Sequence, residues 1–227
     1  MKKNTYVQFQ NSFFEKIIKN KRIEMFNILK KKINIYKLNH MLDVGTTNDV
    51  QLKSSNILCN MLDVIPIHKS LSNQAIKNKR FKLCIKKSIT STFSKREISQ
   101  LKSDMVISSA TIEHVGSFKN QILTLDNMIK FSKKYVVITT PNRFFPIEVH
   151  TKLPFIHWLP KNIFRKILLL LRIRYFADEK NLNLLNKKEL NEILNNFSKK
   201  IIFKIYNIRL LGFVSNFLVI AKLKSKY

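Results

Sequence analysis

The segment MLDVG, residues 41–45, is the strongest indication of the fold class in this sequence. Its apolar residues flank one acid, Asp43, and the run stops at Gly45, which Thr46 and Thr47 follow. An apolar strand that ends in a glycine turn is typical of the opening of a nucleotide-cofactor site in an open α/β sheet. Glycine lets the backbone turn sharply and lets a ligand approach closely. An ordinary buried strand is the alternative interpretation of these residues.

Further apolar runs, rich in Val and Ile, alternate with segments of helical periodicity. We predict strands at 41–44, 64–71, 81–85, 104–108, 135–139, 201–208 and 217–223, and longer helices at 11–32, 121–132, 162–176 and 184–197. Strands and helices in this order predict an α/β fold with a mainly parallel sheet covered on both faces. The last two strands, joined through Gly212, predict an antiparallel pair. Asn186, with Glu189 three residues later, predicts a capped helix start.

The charge of the chain is strongly positive. It carries 42 Lys and Arg against 14 Asp and Glu, a net charge of +28. Such a charge indicates nucleic acid or an anionic membrane as a partner. The basic residues are spread over the whole chain and are not gathered in one arm, which also fits compositional drift toward Lys, Asn and Ile. All three interpretations stay open, and nucleic acid is the least favoured.

Length and cysteine content indicate how many domains the chain forms and whether it carries disulfides or a metal motif. One ample core, and so one domain over residues 1–227, is the expectation for this length. Within it we distinguish an N-terminal helix region, 1–40, and a lid insert, 142–176. Cys59 and Cys84 form no metal motif and predict no disulfide framework. No segment offers the roughly 20 apolar residues of a membrane span, and the start lacks a signal sequence. We therefore expect a cytoplasmic protein, soluble or peripheral to the inner face of the membrane.

Polar residues follow four of the predicted strands, at 43–47, 70–73, 108–114 and 139–143. Doubly wound sheets bind ligands at the carboxyl ends of their strands. The ordered set of MLDVG, SDMVISSATIEHVG (103–116), YVVITTPNRFFPIE (135–148) and HTKLPFIHWLP (150–160) resembles the class I S-adenosylmethionine-dependent methyltransferases, most closely their small bacterial type-11-like branch. The resemblance covers about residues 12–223. It implies a Rossmann-like, doubly wound, seven-stranded sheet with the last strand antiparallel, and S-adenosyl-L-methionine as the methyl donor.

The resemblance also implies which residues bind the donor. Asp43 and Gly45 would lie along its amino-acid and ribose parts, with Thr46 and Thr47 in the turn. The end of the second strand, at Asn73, would face the ribose hydroxyls. The part of the site near the methyl group would be lined by Ser108, Ser109 and Ala110.

Two positions depart from the family pattern. An acid usually ends the second strand, where this chain has Ser72 and Asn73, and another usually follows the third strand, where it has Lys87 and Ser88. These departures keep open a non-catalytic binding protein that retained the sheet and lost the donor site. The charge keeps open an RNA methyltransferase.

Two groups of residues are candidates for acting on a methyl acceptor. Glu113 and His114 follow the fourth strand, and His114 could take a proton because its reference pKa is near neutrality. Alternatively, His114 packs under the loop and Glu113 pairs with a lysine. Methyl transfer is an in-line displacement, so an alternative is that positioning of the two reactants suffices and no base is needed.

The insert after the fifth strand supplies the candidate substrate-binding residues, which are interleaved with aromatic side chains: Asn142, Arg143, Glu148 and His150. A packed satellite core is the alternative role for this insert. His150 and His157 find no third ligand at a suitable spacing, so no metal is predicted. The basic helix at 162–176 would pack on its own domain or lie on a membrane surface. We expect a small-molecule, glycan or lipid-linked acceptor, methylated on oxygen or nitrogen.

Overall fold

The computed structural model describes residues 12–48 and 57–225. The start of the predicted N-terminal helix region and most of the segment after the first turn, residues 49–56, lie outside the described residues. The helices are α1 (Ser12–Lys32), α2 (Ile57–Met61), α3 (Lys95–Leu101), α4 (Phe118–Phe131), α5 (Lys161–Leu170), α6 (Arg174–Ala177) and α7 (Lys187–Asn195). The strands are β1 (His40–Val44), β2 (Ile67–Ser72), β3 (Phe81–Lys86), β4 (Ser103–Ser109), β5 (Ser132–Pro141), β6 (Ile201–Leu210) and β7 (Phe213–Leu223).

The seven strands form one sheet in the order β3-β2-β1-β4-β5-β7-β6. The first five strands pair in parallel, and β7 is antiparallel to both β5 and β6. This topology confirms the predicted Rossmann-like sheet with its antiparallel strand. The strand order reverses between β1 and β4, and the crevice outside such a reversal is where open α/β sheets bind ligands.

Alternate residues of each strand point to opposite faces of the sheet, and both faces are buried. One face packs beneath α1 and α2 through Met41, Met105, Ile107 and Val137. The other face packs beneath α4 and α7 through Leu42, Val106, Val136 and Ile138. Burial on both sides explains why the central strands read as continuous apolar runs in the sequence.

Proline and local backbone geometry shift several predicted boundaries. β2 begins only after Pro66, because proline has no N–H to donate to the ladder. The single helix predicted at 162–176 is wrong: α5 ends at Leu170 and α6 begins at Arg174. Between them Arg172 has a φ of +59°, a left-handed conformation that stops a right-handed helix.

Two capping boxes fix helix starts, one at α3 and one at α7. The predicted box at Asn186 is confirmed, because its side chain accepts from the Glu189 amide and the Glu189 carboxylate accepts from the Asn186 amide. A second box joins Ser94 and Glu97 at the start of α3. No helix in the described part of the chain has the length and apolar character needed to cross a membrane.

Candidate active site at the carboxyl edge of the sheet

The pairing of the central strands brings the predicted strand ends to one edge. Asp43 of β1 is level with Ser70 of β2, and Val44 is level with Ser108 of β4. Ser109 is in turn level with Thr139 of β5. Side chains that are far apart in sequence therefore share the edge at which the strand order reverses.

Asp43 is a buried acid with an unused oxygen. Asp43 is 2% exposed, and its Oδ2 has no hydrogen-bond partner among the described residues. Burial raises the pKa of the carboxyl to about 6, although Thr46, Cys59 and the charge of Arg80 act in the opposite direction. An acid buried at such a cost is typical of functional sites, and its orphaned oxygen is suited to a cationic or N–H-bearing ligand.

The turn after β1 is tied to β2 through its backbone. Gly45 has a φ of +84°, and its amide donates to the Leu71 carbonyl at 2.8 Å. The Ser72 hydroxyl donates to the Thr46 carbonyl at 2.7 Å. A Cβ on Gly45 would lie 2.2 Å from the Thr111 Oγ1, so the space beside this glycine is taken by a side chain of the β4 loop. Glycine is thus required here by the protein itself.

The end of β4 is bent at the expected position. Ser108 is fully buried and its hydroxyl has no partner within the described residues, whereas the Ser109 hydroxyl lies 3.2 Å from the Thr139 hydroxyl. Ala110 follows with a φ of +53°, which is uncommon for a residue with a Cβ. Its amide donates to the Thr139 carbonyl at 2.9 Å, which holds the bend in place. Backbone strain of this kind clusters at functional sites.

The two positions that lack the expected acids are occupied as follows. Asn73 is exposed just beyond β2. The nearby Asp63 pairs with Arg80 at 2.5 Å, so its carboxylate does not replace the missing acid at the end of β2. Lys87, after β3, donates to Glu97 of α3 at 2.7 Å. An acid therefore does reach the end of β3, but it comes from α3 and is already paired.

Glu113 and His114 lie in a 3-10 turn after β4, and Glu113 is fully buried. One carboxylate oxygen of Glu113 accepts from the Thr140 hydroxyl at 3.1 Å, and the other, Oε1, has no partner among the described residues. His114 Nδ1 donates to the Asn181 carbonyl at 2.6 Å. Burial lowers the pKa of His114, which favours the neutral ring. No lysine pairing of Glu113 is found within the described chain.

Asn142 and Arg143 brace the insert. The side-chain amide of Asn142 donates to the Val214 carbonyl of β7 at 2.8 Å. The Arg143 guanidinium donates to the carbonyls of His157 at 3.0 Å and Leu159 at 2.6 Å. The Asn142 bond anchors the insert to β7 and the Arg143 bonds close it into a loop, so a scaffolding role accounts for both side chains.

Glu148 and His150 form a buried pair inside the insert, with side chains 1% and 2% exposed. The His150 Nδ1 donates to Glu148 Oε1 at 2.6 Å, and the backbone amides of His150 and Thr151 also donate to the carboxylate. Burial opposes the charge of both groups. The pairing outweighs it, lowering the pKa of Glu148 to about 2 and raising the pKa of His150.

The fold brings His150 to the turn after β4. The rings of His114 and His150 meet edge to face with centroids 4.8 Å apart. Candidate ligand atoms of Glu113, His114 and His150 all lie within 4.8 Å of one another. The two histidines are 36 positions apart in the sequence, so nothing in their spacing signals this cluster.

Sequence reasoning missed the residues that hold the cluster. Thr140 binds Glu113, and Asn181 binds His114. The Asn183 amide N–H donates to the Glu113 carbonyl at 2.7 Å, and its side chain donates to the Gly116 carbonyl at 2.8 Å. The asparagines sit in a stretch without periodicity or motif, and only the folded contact identifies them.

The comparisons with known proteins agree with this architecture. No family model and no curated protein sequence matches the chain. Solved structures share its fold. Magnesium protoporphyrin IX methyltransferase (ChlM) from Synechocystis PCC 6803, with bound SAM, is 9% identical, with a TM-score of 0.52, and the alignment covers 96% of this chain and 86% of that one.

Two further structures are similar over most of their length. The N-methyltransferase NodS from Bradyrhizobium japonicum WM9, in complex with S-adenosyl-l-homocysteine, is 8% identical with a TM-score of 0.55, and 95% of this chain and 90% of that chain are covered. The 1,6-didemethyltoxoflavin-N1-methyltransferase of Burkholderia thailandensis is 10% identical with a TM-score of 0.55, covering 91% and 79%. The protein therefore has the fold of the class I methyltransferases, as the sequence resemblance implied.

Proposed function

We propose that the protein is an S-adenosylmethionine-dependent methyltransferase. The observation that carries the proposal is the orphaned carboxyl oxygen of Asp43, buried at the edge where the strand order of a methyltransferase-type sheet reverses. Three proteins of the same fold, ChlM, NodS and the toxoflavin N1-methyltransferase, were crystallised with SAM or its demethylated product. These facts support a donor site formed by Asp43, the turn at Gly45–Thr47 and the bend at 108–110.

The donor, when bound, supplies an activated methyl group on a sulfonium sulfur. The protein's part is to fix the donor and the acceptor in line, which by itself lowers the barrier substantially. Asp43 would accept from the donor, with Asn73 near the ribose. Ser108, Ser109 and Ala110 would line the methyl end.

Glu113 and His114 would face the acceptor. Because the Nδ1–H of His114 is donated to Asn181, the neutral ring keeps its basic nitrogen at Nε2. Its lowered pKa keeps the ring neutral near pH 7, as a proton acceptor requires. His114 would therefore take the proton of a hydroxyl or amine acceptor.

Ligand-induced stabilisation tests the donor site. A ligand that binds only the folded state stabilises it by about 2.7 kcal/mol at 100 times its Kd. We expect S-adenosylhomocysteine to raise the melting temperature of the wild type and of Asp126→Asn, a matched substitution on α4. We expect a much smaller increase for Asp43→Asn. Equal increases in both variants, or none in a folded wild type, would reject the proposed donor site.

For the acceptor we propose a molecule with an apolar part, either a small molecule or a lipid-linked glycan intermediate. Eleven of the seventeen large apolar side chains that are exposed in the described residues fall in the insert, residues 142–176. They include Phe155, Trp158, Leu169, Leu170 and Leu171. This concentration of apolar surface beside the proposed acceptor site supports an apolar acceptor.

The same surface supports contact with an anionic membrane. Leu170 is 82% exposed at the end of α5, and Lys166, Arg172 and Arg174 lie exposed beside it. A helix with an apolar face and basic flanks lies in the membrane interface and is attracted by anionic lipid. The surface would thereby bring a lipid-linked acceptor to the site.

Vesicle co-sedimentation tests this contact. The protein should pellet with vesicles that contain 30% phosphatidylglycerol and far less with pure phosphatidylcholine vesicles. Leu170→Gln should reduce pelleting, whereas Ile202→Gln, at an exposed position of β6, should not. Pelleting that is unchanged by Leu170→Gln would show that charge alone, without this surface, accounts for binding. Salt-sensitive binding to RNA in place of lipid would instead favour a nucleic-acid acceptor.

A further inference from the structure

Two imidazoles and one carboxylate meet beside the proposed donor site. Glu113 is fully buried, and its Oε1 lacks a partner within the described chain. His114 comes from the same 3-10 turn, and His150 comes from the insert after β5. Their candidate ligand atoms lie within 4.8 Å of one another. Leaving a buried carboxylate oxygen unpaired is costly unless a ligand binds it.

Each imidazole is oriented as a metal-binding histidine is. The Nδ1–H of His114 is donated to the Asn181 carbonyl, and the Nδ1–H of His150 is donated to the Glu148 carboxylate, both at 2.6 Å. Once the ring is deprotonated, as a metal ligand must be, these bonds leave Nε2 as the donor nitrogen. Metal-ligating histidines almost always donate their other N–H to a carbonyl or carboxylate in this way. Glu148, itself held by two backbone amides, would be the outer-shell carboxylate.

We propose that Glu113, His114 and His150 form a binding site for a divalent transition-metal ion. Two nitrogens and one carboxylate oxygen suit Zn²⁺, Mn²⁺ or Fe²⁺, whereas Mg²⁺ and Ca²⁺ prefer sites made of oxygen. Three protein ligands leave coordination positions open for a further oxygen or nitrogen donor. Ligands bound to one ion at about 2.1 Å lie roughly 3.4 Å apart, so the three side chains would draw in by about 1 Å.

The surroundings supply the rigidity that such a site needs. The backbone of the turn is fixed by Asn183, whose amide donates to the Glu113 carbonyl and whose side chain donates to the Gly116 carbonyl. The Gln121 side chain donates to the Ile112 and Asn183 carbonyls from the buried face of α4. The site would therefore be largely formed before the ion binds. If the proposed function is right, the ion would hold and polarise the acceptor atom, in place of proton removal by the His114 Nε2, which the ion would occupy. Binding of the ion does not depend on that function.

Direct metal binding tests the proposal. The full chain is freed of metal with a chelator and titrated with Co²⁺, whose visible absorption strengthens when imidazole and carboxylate replace water; Zn²⁺ competition then gives its affinity. We expect one ion per chain. Glu113→Gln and His150→Ala should lose binding, and Glu148→Gln should weaken it about 10- to 100-fold, as outer-shell changes do.

Controls separate a metal site from a structural polar cluster. His40→Gln, at the amino end of β1, should bind Co²⁺ as the wild type does, which excludes binding by histidines in general. Circular dichroism establishes that each variant is folded. Failure of the folded wild type to bind one Co²⁺ ion, or equal binding by Glu113→Gln and the wild type, would overturn the proposal. S-adenosylhomocysteine binding, measured in the same samples, reports separately on the donor site.

Discussion

Thr111 fills the space that Gly45 leaves open, since a Cβ built on the glycine would lie 2.2 Å from the Thr111 Oγ1 and 2.4 Å from its Cγ2. The Thr111 hydroxyl also donates to the Val44 carbonyl at 3.4 Å, immediately before the glycine. The turn after β1 and the loop after β4 are therefore interlocked at the switch point of the sheet. This packing is one reason why position 45 must be glycine, separate from any close approach of a ligand.

The interlock predicts a coupled pair of substitutions. Gly45→Ala should lower the free energy of unfolding by about 2 to 4 kcal/mol, from a left-handed φ and from overpacking. In the double variant with Thr111→Ala, the overpacking is relieved while the strain in φ stays. We expect a favourable coupling of about 1 to 2 kcal/mol in a urea-unfolding double-mutant cycle. Strict additivity would mean that Thr111 does not contact this position in solution.

Asp43→Asn should stabilise the protein in the absence of ligand. The carboxyl has a pKa of about 6 when folded and 3.8 in its ordinary environment. Folding therefore becomes less favourable as the pH rises from 3.8 through 6, because the unfolded chain releases the proton first. The variant lacks this penalty and should be about 3 kcal/mol more stable at pH 7, with the difference vanishing near pH 4. Urea unfolding at both pH values measures it; a destabilised variant at pH 7 contradicts the assignment.

Glu148→Gln should be strongly destabilising near neutral pH. Breaking a buried ion pair by removing one partner costs about 3 to 5 kcal/mol. The depressed pKa of Glu148 makes its contribution present above about 4.5 and lost as the pH falls through about 2. The raised pKa of His150 makes its contribution present below 6.5 and lost as the pH rises through the folded value. The difference in unfolding free energy between the wild type and the variant should therefore be largest between about pH 4.5 and pH 6.5.

The control for this pair is Glu192→Gln, at an exposed position of α7. It should change the unfolding free energy by less than about 0.5 kcal/mol at every pH. Thermal unfolding between pH 3 and pH 9 follows all three proteins. A Glu148→Gln curve parallel to that of the wild type would show that the pair is not ionised in the folded protein.

Asn186→Ala tests the capping box that the sequence already predicted. Loss of an Asn N-cap costs about 1 kcal/mol, and here it leaves the Glu189 backbone amide without its side-chain acceptor. Asn195→Ala, at the last residue of α7, should have little effect. Chemical unfolding of the two variants distinguishes a working cap from an incidental contact.

The sheet could be predicted from the sequence because its signals are local. Buried strands show as apolar runs, and the MLDVG turn and the Asn186 box carry their own chemistry. Boundaries were less exact where one residue interrupts a pattern, as Pro66 delays β2 and Arg172 breaks the predicted basic helix. A left-handed residue of this type leaves no trace in hydrophobic periodicity.

The site could be predicted only in part, because its parts are brought together by the fold. Asp43 and Ser108 lie at strand ends, where the topology of the sheet places them by rule. The approach of His150 to Glu113 depends on the path of an irregular insert, braced by Arg143. No spacing rule encodes such a path. The sequence therefore predicts His150 as a substrate-binding residue and does not indicate that it lies beside Glu113 and His114.

Calorimetric titration of the purified protein with S-adenosylhomocysteine is the direct test of the proposed donor site. We predict one site with a micromolar Kd, and with affinity that rises from pH 5 to pH 7 as Asp43 becomes ionised and able to accept from the ligand's ammonium group. The absence of binding up to millimolar ligand, in a protein shown to be folded, would contradict the account. It would mean that Asn73 and Lys87, in place of the usual acids, leave a sheet of the methyltransferase fold without a donor site.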